Sequence, residues 1–213
     1  MVSPIEHGTL TLPEEVQLLL RLDKSRLAFG WIELAAAALI DLALSGRVEM
    51  LPATGLFRGI GDRKVAVVDP SPTGSPALDS ALAVLSGHGK PWIVSRCMIP
   101  VGREVSPAVH SELQLNGIAR VVGKFPDLAG HLVVEDPDAQ AQVKSRVDRA
   151  RLAPQEVSDP RLGALVDVLR NSDDRFRGET GLQPTIRWEW YPKEVTETVN
   201  AILWAEGYLA KPQ

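Results

Sequence analysis

Trp31-Ile-Glu-Leu-Ala-Ala-Ala-Ala-Leu-Ile-Asp-Leu-Ala-Leu44, followed by Ser45-Gly46-Arg47-Val48-Glu49-Met50, decides how this chain folds. Between Trp31 and Leu44 only Glu33 and Asp41 are polar. They stand eight apart with Ala37 midway, so at about 3.6 residues per turn they share one narrow stripe. A helix that is apolar almost all round is a buried helix. The run Ala35 to Ala38 favours helix and lets neighbouring helices approach closely. Gly46 falls where a left-handed C-cap belongs, and Arg47 to Met50 alternates as the start of a strand does. The spacing predicts a central core helix, a glycine stop and a strand leaving it.

Upstream, Thr11 and Glu14 have capping-box spacing, and Pro13 is tolerated in a first turn. A helix carrying Val16, Leu19, Leu20 and Leu22 follows, then a charged break from Asp23 to Arg26. Downstream, Arg47 to Pro52 and Lys64 to Asp69 read as a hairpin around Gly55, Gly59 and Gly61. Asp69-Pro-Ser-Pro-Thr-Gly-Ser-Pro76 is a rigid connector that lacks the glycines and lysine of a phosphate loop. Ser75 is the expected N-cap, and Pro76 the first residue, of a helix with Leu78, Leu82 and Leu85 that runs to Gly87.

Trp92 to Met98 reads as a short helix closed by Pro100. Ser106-Pro107 reads as the start of another, with Val109, Leu113 and Leu115, ending at Gly117. Ile118 to Val122 and His131 to Glu135 form a second expected hairpin. From Asp136-Pro137 a helix runs through Arg151, and its Lys144, Arg146, Arg149 and Arg151, with Asp148 among them, read as a solvated face. Asp159-Pro-Arg-Leu starts a helix with Leu162, Leu165, Val166 and Leu169, and Asn171 to Gln183 reads as a mobile loop. Pro192 precedes a last helix with Val195, Val199, Ile202 and Leu203, anchored by Trp188, Trp190 and Tyr191.

The 213 residues suit one large domain. An apolar fraction of 45% and a charged fraction of 23% are those of an ordinary globule. A net charge of −4 argues against bulk affinity for nucleic acid, though not against a local basic patch. Cys97 is the single cysteine, which excludes an intramolecular disulfide and a CxxC metal site. Without a histidine placed beside it, Cys97 is expected to be a buried bystander. The opening residues hold Pro4, Glu6, Pro13, Glu14 and Glu15 and no apolar stretch of the signal-peptide kind. The longest apolar run, Leu34 to Ile40, is short of the roughly 20 residues a bilayer span takes. A cytoplasmic protein, at most peripheral on a membrane, is expected.

His7, His88, His110 and His131 are scattered, without the spacing of a metal site, and no GxSxG elbow occurs. Glu14-Glu15 and Asp173-Asp174 are adjacent pairs, whose side chains diverge on a helix and make poor catalytic dyads. No catalytic group, metal site or cofactor is expected.

Several phrases, in order, resemble the Golgi phosphoprotein 3 family, which has bacterial members. Leu10-Thr-Leu-Pro-Glu-Glu-Val16 is similar to its opening helix, and Leu39-Ile-Asp-Leu-Ala-Leu-Ser-Gly-Arg-Val48 to its central helix and following strand. Pro72-Thr-Gly-Ser75 with Leu78-Asp-Ser-Ala-Leu82, Pro91-Trp-Ile93 and Asp159-Pro-Arg-Leu-Gly-Ala-Leu-Val166 complete the set. The resemblance spans residues 9–205 as one domain, leaving 1–8 and 206–213 as terminal extensions. It implies a mainly α fold: a helical bundle core, surrounding amphipathic helices and one or two β-hairpins.

It further implies a non-enzymatic peripheral membrane protein that binds phosphatidylinositol 4-phosphate, holds membrane-protein tails and can form homo-oligomers. The family's headgroup pocket is built from a tryptophan and three arginines. Carried over, these positions fall on Trp31 (or, on a second count, Arg26), on Ala35, on Arg103 and on Ser106. Trp31 and Arg103 are therefore the expected headgroup residues. The family hairpin, used in membrane contact or oligomerisation, corresponds to Ile118 to Glu135, with Phe125 and Leu128 near its turn. Two alternatives stand beside this one: a winged-helix-like nucleic-acid module over residues 106–135, and a protein–protein interaction domain. The proposed recognition helix, Ala108 to Asn116, has no Lys or Arg, which disfavours nucleic acid.

Overall fold

A computed structural model describes residues 10–20, 30–51, 63–122, 131–176 and 193–209. Within them the protein is mainly α, with helices α1 (Leu12–Leu20), α2 (Gly30–Leu44), α3 (Pro76–Gly87), α4 (Val94–Leu115), α5 (Pro137–Leu152), α6 (Pro160–Phe176) and α7 (Lys193–Leu209). Strands β1 (Val48–Leu51), β2 (Lys64–Val67) and β3 (Trp92–Ile93) form an antiparallel sheet in that order. β4 (Ala119–Val122) and β5 (His131–Val134) form a separate hairpin with Ala119 opposite Val134 and Val122 opposite His131.

The central helix is as its composition dictates. Residues 32–42 of α2 are all buried, and α1, α3, α4, α6 and α7 all pack on it. Gly46 closes it at φ 71°, and Arg47 N donates to Leu42 O at 2.8 Å as the chain turns into β1. Glycine also ends α4, where Gly117 has φ 69°, since a left-handed residue satisfies the last carbonyls without a Cβ penalty. Ser75 Oγ accepts from Leu78 N at 3.3 Å and caps α3. Thr11 N and Thr11 Oγ1 both donate to Glu14 Oε2, at 2.7 and 2.8 Å, and close the start of α1.

Three expectations are corrected. First, α4 is one continuous helix of 22 residues with Pro100 and Pro107 inside it, where two helices split at these prolines were expected. Each proline removes one helical hydrogen bond, an intrinsic cost of about 3 kcal/mol. Both sit off the core, with Pro107 exposed and Pro100 half-buried. Cys97, Met98, Val101, Val105, Val109 and Leu113 form an unbroken buried stripe along the other side. At about 1.5–3 kcal/mol for each large apolar side chain, that stripe outweighs the lost bonds. The segment from Ala108 onward is thus the packed second half of α4, not an independent recognition helix.

Second, Trp92 and Ile93 are strand, not helix: they pair with Val65 and Lys64 and widen the expected hairpin to three strands. Third, the loop expected from Asn171 begins instead as helix, because α6 continues to Phe176. The polar side chains there have buried partners. Ser172, fully buried, donates to Glu33 Oε1 at 3.1 Å, and Asn171 Nδ2 donates to Leu203 O at 3.2 Å. The glycine-rich turn with Gly55, Gly59 and Gly61, the break from Asp23 to Arg26, and Trp188, Trp190 and Tyr191 lie outside the described residues.

Candidate functional site

Trp31 and Arg103 are 72 positions apart in the chain, and the fold brings them together. The Arg103 Cζ lies 5.4 Å from the centroid of the Trp31 ring, within cation–π range. The contact depends on a glycine. A Cβ added to Gly102 would lie 2.1 Å from the Trp31 carbonyl oxygen and 2.7 Å from its carbonyl carbon. Only a residue without a side chain lets α4 press against the backbone of α2 here. Arg103 is exposed and Trp31 half-buried, so the guanidinium and one part of the indole face solvent. Among the described residues no carboxylate pairs with Arg103.

Ala35 and Ser106, the other two positions of the expected pocket, are buried, Ala35 fully and Ser106 at 9% exposure. Neither side chain carries a charge, so of the three positions where the resemblance implies arginine only Arg103 holds a guanidinium. Phe125, Leu128 and Arg26 lie outside the described residues.

A second cluster was not foreseen. Asp41, in the apolar helix, accepts from Leu12 N at 2.9 Å through Oδ2. Arg161, from the start of α6, donates through Nε to Asp41 Oδ1 at 3.0 Å and through Nη2 to Oδ2 at 3.2 Å. The same Nη2 reaches Leu10 O at 2.6 Å. Beside it Arg146 Nη1 donates to Glu15 Oε1 at 2.8 Å. Burial holds the Glu15 carboxyl above the ordinary range, against the pull of Arg146 and Arg161.

The sequence held half of this signal. An aspartate in an apolar helix needs a partner, but nothing local says that the partner is Arg161, 120 residues on. A cavity of about 440 Å³ opens next to this cluster, lined by Glu14, Asp41, Thr73, Ser75, Glu112 and Arg161 among others. Its acids already accept hydrogen bonds: Glu112 Oε2 accepts from the backbone Ala77 N at 3.1 Å and Oε1 from the Ser75 hydroxyl at 2.9 Å. The arrangement ties α1, α2, α3, α4 and α6 together.

A smaller cavity, about 300 Å³, lies between α2, the first sheet and α7, with Ile40, Leu44, Met50 and Val199 in its walls. Arg63 and Glu197 face each other at its edge, 3.3 Å apart. Cys97 is fully buried, and burial pushes its thiol up to about 12, far from a reactive thiolate. His88 stacks on Trp92 at 4.0 Å. Among the described residues no group of His, Cys, Asp and Glu is arranged to hold a metal ion. No described helix is long and apolar enough to cross a membrane.

The family model for Golgi phosphoprotein 3 (GPP34) matches residues 12–176, from the first residue of α1 to the last of α6. No curated protein matches the chain.

Proposed function

Since the chain belongs to the Golgi phosphoprotein 3 family, we propose that it is a non-enzymatic peripheral membrane protein that binds the phosphate of an anionic lipid at Trp31 and Arg103. The observation that carries this reading is the exposed Arg103 guanidinium, held over the Trp31 ring with no carboxylate partner among the described residues. A planar guanidinium donates several fixed hydrogen bonds and matches phosphate oxygens. Packing against an aromatic ring orients it without neutralising it. A tryptophan is also a residue suited to the boundary between headgroups and acyl chains.

One guanidinium supports weak binding with little choice among anionic headgroups. Phosphatidylinositol 4-phosphate stays the first lipid to try, with phosphatidylserine next. The test is co-sedimentation with neutral, phosphatidylserine-bearing and phosphatidylinositol 4-phosphate-bearing vesicles at low and physiological salt. Binding to the anionic vesicles that falls several-fold in Arg103→Ala is expected. No binding to any of them would sink the proposal. An adaptor role, holding the tails of membrane proteins, would follow from a surface-bound position.

A further inference from the structure

Resting on that reading, we propose that α4 docks lengthwise on an anionic membrane surface through Arg96, Ile99 and Arg103, with Ile99 as the inserted side chain. At about 100° per residue these three positions fall within an arc of roughly 60°, and Arg96 and Arg103 are about 10 Å apart along the axis. All three are exposed, Ile99 at 39%. The face is therefore one large apolar side chain between two guanidiniums, on the same side of α4 as Trp31.

Neither arginine is engaged by a carboxylate of the described residues. Among the described residues Arg47, Arg63, Arg120, Arg146 and Arg161 each pair with an acid. Exposed Arg149 on α5 does not, but it lacks the combination of an exposed apolar side chain and a second such arginine aligned with it that Arg96, Ile99 and Arg103 make. Glu104 is exposed next to Arg103 but projects about 100° further round the helix. The protein as a whole is negative, at −4, so attraction to an anionic surface has to come from a local face such as this one.

The prolines set how deep the face can go. Pro100 and Pro107 leave the carbonyls of Arg96 and Arg103 without their i+4 donors. Backbone groups freed in this way need water and cannot enter hydrocarbon unsatisfied. The helix therefore rests at headgroup level, and only the Ile99 side chain reaches below it. Each arginine near an anionic surface contributes about a five-fold gain in affinity, screened by salt.

The experiment uses the full chain with phosphatidylcholine vesicles, with and without phosphatidylserine. Arg96→Ala, Ile99→Asp and Arg103→Ala are compared with Leu115→Asp, a control at an exposed leucine elsewhere on α4. Arg96→Ala is expected to lose about five-fold, and Ile99→Asp at least ten-fold, while Leu115→Asp binds as the parent does. As a measurement independent of affinity, Ile99→Cys carries an environment-sensitive label (Cys97 is buried and stays unlabelled). Vesicles of phosphatidylserine should shield that label from an aqueous quencher. If Arg103→Ala weakens binding but Arg96→Ala and Ile99→Asp do not, and the label stays quenchable, the docking face is overturned and the Trp31–Arg103 site stands. If all variants bind like the parent, or the parent binds no vesicle, both readings fall.

Discussion

Asp41 shows how a single side chain can organise a helical core. It is 8% exposed, caps α1 through Leu12 N and holds the guanidinium of Arg161. Removing one partner of such a pair costs more than the pair itself contributes, because the other charge stays behind without compensation. Asp41→Ala should therefore lose about 3 kcal/mol, read as a lower urea midpoint with an unchanged slope. A loss within error of zero would mean that Arg161 simply rotates into water. Glu112 gives a pH test. Burial, chiefly, with Glu14 and Asp79 adding to it, holds its carboxyl above the ordinary value of 4.5. The folded chain thus binds this proton more tightly than the unfolded chain does. Its stabilising contribution is complete below the ordinary value and is lost as pH rises through the raised one. Compared with Glu112→Gln, the parent should gain stability as pH falls from neutrality to about 4.5. A gap between the two proteins that stays constant or moves the other way over that range would contradict the assignment.

At the scale of elements, α4 is where local rules and packing disagree. Two prolines read as boundaries, yet the apolar stripe on the opposite face runs through both. Proline forbids one bond each time, whereas the stripe is a property of the whole segment, so the segment wins. The same helix carries the closest approach in the site. Alanine normally favours a helix over glycine by about 1 kcal/mol. At position 102 the new Cβ would meet backbone at 2.1 Å, and backbone cannot rotate away. Gly102→Ala should therefore destabilise by about 1–3 kcal/mol, the usual cost of overpacking, and weaken vesicle binding by moving Trp31 from Arg103. Calorimetry on the variant settles the sign: a melting temperature at or above the parent's would show that α2 and α4 can separate freely there.

Across the whole molecule, the family match ends with α6, but the core does not. α7 packs on α2, α4 and α6, and its Val199, Ile202 and Leu203 are buried. At about 1.5–3 kcal/mol each, these three account for roughly 5–9 kcal/mol, comparable with the usual 5–15 kcal/mol net stability of a domain. A chain ending at residue 192 should lose its sharp thermal transition and bind a hydrophobic dye; a transition as sharp as the parent's would refute this. What the sequence by itself determined is the set of elements governed by neighbours in the chain. The nearly all-apolar α2, the glycine stops at Gly46 and Gly117 and the caps at Thr11 and Ser75 follow from interactions within a few residues, and the second hairpin from pairs such as Val122 with His131 that are close in the chain. Aligned positions also pointed to Trp31 and Arg103. Only the tertiary structure decided that these two touch, that Gly102 permits it, that Arg161 answers Asp41, and that α4 runs through its prolines. The first three depend on surfaces that meet after the chain has folded back over about 70 or more positions, and the fourth on the buried stripe that α4 packs against α2 and α3; no local pattern encodes either meeting.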